Sequence, residues 1–164
     1  MATENILSTQ LANRDALPQL LNDPGNCGGF KRQWIADLLC TTGKTSPSTY
    51  RFFTVPSNLV ISSLKLSTDA LSTSVTVEIG VYNTTIAGGA AVSAGLFGTG
   101  ISCSSQVIAS EERFNALAIT TAGQQLWQLL ALASDPGTYY DIVVTSQATI
   151  TAGGNIMLDL TGAI

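Results

Sequence analysis

Apolar and polar side chains alternate along several stretches of this chain, and the alternation predicts β-strands. Residues 75–81 and 140–144 show it most clearly, and a third run covers residues 156–160. Period-two patterning places one set of side chains on a core face and the other set on the opposite face of a strand. Because Gly153 and Gly154 lie in the short connection between the last two runs, we expect these runs to form an antiparallel hairpin.

Weaker patterns predict further strands at residues 30–39, 50–55, 59–66, 90–97 and 101–108. Pro56 should end the second of these, because proline cannot donate a hydrogen bond to a strand ladder. In the third, the alternation slips at Ser62 and Ser63, which predicts a β-bulge. Glu78 falls on the more polar face of the strand at 75–81.

One segment has helical rather than strand spacing. Its apolar residues recur at i, i+3, i+4 and i+7, and they are Leu126, Leu129, Leu130 and Ala133. This spacing predicts a short helix, and the sequence Asp135-Pro136-Gly137 should end it. We expect Trp127, which lies beside the apolar stripe, to cover an open end of the body.

The first 29 residues show no sustained hydrophobic period, because Pro18 and Pro24 interrupt their short apolar runs. Such a segment is typical of an arm that becomes ordered only against a partner. The sequence therefore predicts an all-β fold: an antiparallel β-sandwich, jelly-roll-like, with one short helix and an extended N-terminal arm. Residues 1–29 form the arm and residues 30–164 the sandwich body.

Charge is scarce in this chain, at 11% charged residues and a net charge of −4. A nucleic-acid-binding protein needs clustered lysines and arginines to contact phosphates, so we expect no nucleic-acid partner. The uncharged stretch 79–110 is too rich in glycine and serine for a membrane-spanning helix, so we expect no membrane partner. Residues 1–10 lack the basic and apolar regions of a signal peptide, and we expect none there.

The residues available for chemistry are few. There is no histidine, so Ser-His-Asp and Cys-His catalysis are excluded. The three cysteines, Cys27, Cys40 and Cys103, cannot all pair within one chain, and we expect reduced thiols and no metal site. Gly43-Lys44-Thr45 resembles the end of a phosphate-binding loop, but position 38 is leucine where that motif needs glycine.

Paired carboxylates are the remaining possibility for catalysis. The candidates are Glu111 and Glu112, which precede Arg113, and the pair Asp135 and Asp141. We expect all four to be solvated loop acids, although a small hydrolase that uses two carboxylates in one cleft stays open as an alternative. The sequence thus predicts a protein that is not an enzyme and has no cofactor and no small-molecule substrate.

Several phrases of the sequence resemble the head decoration, or cement, proteins of tailed bacteriophages. They are YRFFTVPS (50–57), VEIGVY (77–82), GGAAVSAGLF (88–97), LWQLLALASDP (126–136), YDIVVT (140–145) and GNIMLDL (154–160). The resemblance implies a β-sandwich, commonly a homotrimer, that binds the major capsid protein on the outer capsid surface of the virion and stabilises the shell. It also implies synthesis in the cytoplasm of a bacterial host.

In this family the N-terminal segment ties the protein to the shell, so the partner-binding residues are sought in and beside the arm. We predict this role for Leu11, Leu17, Leu20, Leu21, Phe30, Arg32 and Trp34. The alternative function is a carbohydrate-binding or adhesive β-sandwich module, such as a phage fibre tip or a lectin-like domain. Its candidate cluster is Tyr139, Tyr140 and Asp141, although the alternation directs Tyr140 inward.

Overall fold

The computed structural model describes residues 30–164, which form two antiparallel four-stranded sheets. The elements in chain order are β1 (Lys31–Cys40), β2 (Ser48–Pro56), β3 (Val60–Thr68), β4 (Thr76–Asn83), β5 (Ala91–Ser102), β6 (Val107–Glu111), helix α1 (Leu126–Leu129), β7 (Tyr139–Ser146) and β8 (Gly154–Ala163). Single 3-10 turns lie at Thr85–Ala87 and Ile119–Thr121.

The two sheets pack face to face as a sandwich. Sheet 1 has the strand order β1-β8-β3-β6, and sheet 2 has the order β2-β7-β4-β5. Alternate residues of each strand point between the sheets and form one apolar core, whose members include Leu64, Leu66, Val77, Ile79, Phe97, Ile142, Val144, Ile156, Leu158 and Leu160. The predicted all-β sandwich is therefore confirmed for the body. The predicted arm lies outside the described residues.

Several local predictions are also confirmed. Strand β2 ends at Pro56, and β3 has a register shift against β8 between Ile61 and Ser63, where the alternation slips. In β4, Val77, Ile79 and Val81 are buried, whereas Glu78 is partly exposed. These features follow directly from local sequence, because proline and a period slip act on the strand that contains them.

The predicted hairpin of the last two strands is wrong. Strand β7 lies between β2 and β4 in sheet 2, whereas β8 lies between β1 and β3 in sheet 1. The connection passes from sheet 2 to sheet 1, and Ile150 within it is fully buried. Gly154 begins β8 instead of forming a turn, and a Cβ atom there would lie 2.8 Å from the Cβ of Asp69. This glycine therefore permits a close approach between chain segments.

Two further boundaries differ from the prediction. The expected strand at 101–108 is divided: its first two residues end β5, and Val107 begins β6. Helix α1 has only one turn, and Ala131 adopts a left-handed conformation with φ of 55° that stops it well before Pro136. Leu126 is fully buried, but Ala133 is exposed. Trp127 is half-buried, and its Nε1 donates to Oε1 of Gln125 at 2.6 Å.

Two of the four acids predicted to be solvated are buried. Glu112 is 2% exposed, and Asp141 lies inside β7 and is also buried. Glu111, which ends β6, and Asp135 are exposed as expected, whereas the neighbouring Arg113 is completely buried. Buried charges need hydrogen-bonding partners within the fold, which a reading of local sequence cannot supply.

Arg113 finds those partners in backbone carbonyls. Its Nε donates to the carbonyl of Ile61 at 3.0 Å, and its Nη2 donates to the carbonyl of Thr121 at 3.2 Å. The guanidinium also lies 4.7 Å from the centre of the Phe114 ring. Arg113 thus joins the segment after β6 to strand β3.

Candidate interaction surface

Several of the large apolar side chains that the described structure exposes lie on the outer face of sheet 1. Strand β1 alternates regularly, with Trp34 and Leu38 partly buried towards the core and Ile35 and Leu39 pointing outward. Ile35 is 60% exposed and Leu39 is 67% exposed. The outward face of β1 thus exposes two apolar side chains between polar ones, a combination that is available for a further contact.

Strand β8 extends this apolar surface inward from the edge. Asp37 lies opposite Met157, and Leu39 lies opposite Asn155, so Met157 is a diagonal neighbour of both Ile35 and Leu39 on the same face. Met157 is 37% exposed. The three apolar side chains therefore form one patch, not isolated exposed residues.

A shallow groove continues the patch across the sheet. Its volume is about 140 Å³, and Met157 and Ile108 both line it, together with Ser67 and Gln106. Ile108 is 76% exposed. We call Ile35, Leu39, Met157 and Ile108 the outer apolar patch.

The polar residues around the outer apolar patch have mixed charge. Gln33 Nε2 donates to Oδ1 of Asp159 at 2.8 Å, and Lys65 of β3 is the register partner of Asp159. Lys31 and Asp37 lie on the same face of β1, and Asp37 lies between Ile35 and Leu39, opposite Met157. The surface thus combines apolar side chains with a carboxylate among them and further polar residues at its margin.

The structure places the predicted partner-binding residues at the start of β1 as far as it describes them. Phe30 is 92% exposed, Arg32 is exposed, and Trp34 is half-buried against the core. The other four, Leu11, Leu17, Leu20 and Leu21, lie outside the described residues. Sequence reasoning missed the outer apolar patch, although the adjacent apolar pairs 34–35 and 38–39 of β1 are a signal that both faces are apolar.

A second surface feature lies on the outer side of sheet 2. It is an open cleft of about 380 Å³, lined by Thr54, Thr84, Thr85, Ile86, Thr138, Tyr139 and Asp141. Tyr139 is 58% exposed and Ile86 is fully exposed, whereas Tyr140 points into the core as the alternation predicts. The cleft thus combines hydroxyl groups with one accessible aromatic ring.

The base of this cleft is held by an ion pair. Asp141 accepts hydrogen bonds from Nη1 of Arg51 at 2.8 Å and from the hydroxyl of Thr54 at 2.7 Å. Arg51 also donates to the carbonyls of Asn83 at 3.0 Å and Gly89 at 2.6 Å. Because Arg51 balances the charge of Asp141 and is fixed by these bonds, the cleft has a rigid base with little net charge.

The thiol groups give no sign of reactivity. Cys40 and Cys103 are unpaired and completely buried, and burial raises the pKa of both thiols. A thiol with a raised pKa is a poor nucleophile, since the thiolate is the reactive form. Cys27 lies outside the described residues. Within residues 30–164, no three His, Cys, Asp or Glu side chains lie together as a metal site.

Helices in the described part of the chain are short, and none is long and apolar enough to cross a membrane.

Comparisons with known proteins point to one solved structure. No protein-family model and no curated protein sequence matches this chain. The fold resembles a chain of the cyanophage Pam1 capsid asymmetric unit, with a TM-score of 0.57 and 15% sequence identity. The likeness covers 92% of this chain and 96% of that chain. At this level of identity, the likeness shows that the two chains share a fold over nearly their whole lengths.

Proposed function

We propose that this protein is a structural component of a bacteriophage virion that decorates the outer capsid surface and stabilises the shell by binding the major capsid protein. The observation that carries the proposal is the shared fold with a chain of a phage capsid asymmetric unit over nearly the full length of both chains. A fold alone does not specify function, so the proposal also needs a surface suited to the task.

The outer apolar patch is such a surface. Ile35, Leu39 and Ile108 are each more than half exposed, and burying an apolar side chain completely contributes roughly 1.5–3 kcal/mol. Contact with a partner would therefore gain about 1–2 kcal/mol for each of them before ordering costs are subtracted. A few such contacts give weak binding per copy, and an oligomer that links several copies binds more tightly, because its later contacts form at a high effective concentration.

The remaining features of this role are parts of the same proposal. Residues 1–29 act as an arm that contacts the shell through their leucines, the protein associates with itself as a homotrimer, and it is made in the host cytoplasm. It performs no catalysis. The fully buried, unreactive thiols at Cys40 and Cys103 are consistent with a structural task.

Co-sedimentation with shells of the major capsid protein tests the role of the patch. We expect Ile35→Asp and Met157→Asp each to weaken binding at least tenfold, because both place a charge in the contact. Ile86→Asp is the matched control, since Ile86 is fully exposed on the other side of the sandwich. Equal binding by all three variants and the unchanged protein would refute the contact through sheet 1.

Deletion of residues 1–29 separates the arm from the body in the same assay. The proposal expects a folded body that binds shells more weakly than the full chain. If neither the full chain nor the truncated chain binds shells made of its phage's major capsid protein, the decorating function itself is wrong.

The cleft on sheet 2 supports a second candidate, a carbohydrate-binding or adhesive module. An exposed tyrosine ring beside several hydroxyl groups suits an uncharged polyhydroxylated ligand, because the ring offers a flat apolar face and the hydroxyls offer both donors and acceptors. The cleft volume of about 380 Å³ is within the range of small-molecule sites.

A glycan array followed by NMR titration with neutral mono- and disaccharides tests this candidate. Tyr139→Ala should abolish binding, whereas Tyr139→Phe should retain most of it because the ring is preserved. Chemical shifts that do not move around Thr84 and Tyr139 at millimolar sugar would rule out the cleft as a sugar site.

A further inference from the structure

The four edge strands of the sandwich differ in one respect that bears on assembly. An edge strand exposes unpaired N–H and C=O groups, and proteins usually blunt such edges with bulges, prolines or very short strands. Within residues 30–164 the edges are β1 and β6 of sheet 1 and β2 and β5 of sheet 2.

Three of these edges are blunted. Strand β2 carries a bulge between Arg51 and Phe53 and ends in Pro56. Strand β5 has three register shifts against β4. Strand β6 has five residues, one of them Ala109 with a left-handed φ of 49°.

Strand β1 has none of these three devices, and its only blunting feature is the charge of Lys31, Arg32 and Asp37. It pairs with β8 over ten consecutive residues without a register shift, and it contains no proline and no glycine. Half of its residues direct their N–H and C=O groups away from β8 towards the free edge. The exposed Ile35 and Leu39 lie beside that edge. A long, regular and partly apolar edge is the arrangement that pairs with another strand.

The charges of β1 indicate which strand fits. Its outward face carries Lys31 near one end and Asp37 near the other, three residues on either side of Trp34. If a second β1 pairs antiparallel about a two-fold axis at Trp34, each Lys31 lies opposite the Asp37 of the other copy. Opposite charges in directly opposed cross-strand positions stabilise a sheet, and like charges destabilise it.

We propose that β1 is a self-association interface, at which two copies of this chain pair antiparallel around Trp34 and join their first sheets into one continuous eight-stranded sheet. The two-fold axis is normal to the sheet, so the outer apolar patches of both copies lie on the same side. The pairing goes beyond the proposed function, and it would double the apolar surface available to a shell.

Pairing of β1 uses two copies at a time, so it requires an even number of chains. Light scattering on the purified full chain at tens of micromolar should show a dimer, or two trimers joined together if the predicted trimer forms through another surface. A monomer or an isolated trimer would overturn the inference. Shell binding by such a species would still leave the proposed function standing.

Charge reversal tests the partner and the register together. Lys31→Glu should weaken the association roughly 10- to 100-fold, because two attractive pairs become repulsive at once. Asp37→Lys should do the same. The double variant Lys31→Glu with Asp37→Lys restores opposite charges and should return to within about threefold of the original dissociation constant. Lys65→Glu, on the same face but away from the edge, is the control and should have no effect.

Cysteine cross-linking gives an independent measurement of the register. In a Cys27→Ser background, Trp34→Cys should form a disulfide-linked dimer, because directly opposed Cβ atoms lie about 4.5–5.5 Å apart. Ile35→Cys should cross-link poorly, since its counterpart lies at a diagonal position about 7–8 Å away. Thermal unfolding checks that both variants are folded. Cross-linking at residue 35 but not at 34 would overturn the register.

Truncation tests whether residues 1–29 of the same chain, and not a second β1, pair with the β1 edge. If the full chain is a monomer and removal of residues 1–29 produces a dimer, the chain's own N-terminal segment covers the β1 edge and the inference is wrong. If the double charge swap fails to restore association, the partner strand is not a second β1.

Discussion

Arg113 offers the most direct test of how the sandwich is held together. Its side chain is fully buried, and burial lowers its pKa, while Glu111 opposes that shift. The charged head is bonded to the carbonyls of Ile61 and Thr121, so the residue connects β3 to the segment between β6 and α1. We predict that replacing it by alanine destabilises the protein by about 3–5 kcal/mol, the range for removing one partner from a buried charged network.

The magnitude follows from three contributions. Loss of two buried methylene groups, Cγ and Cδ, costs about 0.8 kcal/mol each, or roughly 1.6 kcal/mol together. Leaving two buried carbonyls without a donor costs about 1–3 kcal/mol each. Burying the guanidinium charge is itself unfavourable, so its removal stabilises the folded state by several kcal/mol. The net loss in the free energy of unfolding therefore falls into the predicted range. Arg113→Met retains most of the aliphatic stem, so it should cost about 2 kcal/mol less than Arg113→Ala.

Urea unfolding followed by the fluorescence of Trp34 and Trp127 measures both differences by linear extrapolation. The exposed Lys65 provides a control, and Lys65→Ala should change the free energy of unfolding by less than about 0.5 kcal/mol. An Arg113→Ala variant within about 1 kcal/mol of the original protein would refute the buried network. Equal stabilities of the alanine and methionine variants would refute the packing contribution of the stem.

Three further predictions concern buried groups. Burial raises the pKa of Tyr50 to about 12 from 10.0. The neutral phenol therefore contributes stability that is complete below pH 10.0 and is lost as the pH rises towards 12. In Tyr50→Phe, the free energy of unfolding should fall less steeply with pH over this range. The buried Tyr50 hydroxyl has only the weakly hydrogen-bonding Cys40 thiol beside it and forms no hydrogen bond of normal geometry, so this variant should be at least as stable at neutral pH, as measured by urea unfolding. Cys40 and Cys103 should react with a thiol reagent only in denaturant, and fast reaction of the native protein would contradict their burial. Leu126→Ala should lower the free energy of unfolding by about 2–5 kcal/mol, whereas Leu129→Ala should lower it less, because Leu129 is only half-buried. If thermal unfolding showed Leu129→Ala to be the less stable variant, the packing of α1 would be contradicted.

The existence of most strands could be predicted because it depends on neighbouring residues. Alternation in residues 75–81 defines β4, and the slip at Ser62-Ser63 defines the irregularity of β3. The partners of the strands could not be predicted in the same way. Strands β7 and β8 follow each other in sequence and were expected to pair, yet β8 belongs to the other sheet, and Ile150 in the connection is buried.

The burial of charged residues was also not predicted from the neighbouring sequence. Glu112 and Arg113 lie in a polar stretch that is typical of a solvated loop. Arg113 donates to the carbonyl of Ile61, 52 residues earlier in the chain, and to that of Thr121, eight residues later, whereas Glu112 accepts a hydrogen bond from Nδ2 of Asn115. A charged residue inside a fold needs such partners, and the bond to Ile61 depends on tertiary packing that the sequence around Arg113 does not indicate.

The candidate interface shows the same dependence on topology. Residues 30–39 were correctly expected to form a strand, and Phe30, Arg32 and Trp34 were expected to bind a partner. However, a strand becomes an interface only if it lies at the edge of a sheet, and edge position is decided by pairing with residues over a hundred positions away, such as Trp34 with Leu160. Strand β1 lacks bulges, exposes Ile35 and Leu39, and carries charges of both signs. In a central strand, these features would only favour regular pairing with the two neighbouring strands. At an edge, they provide a surface on which a second strand can pair.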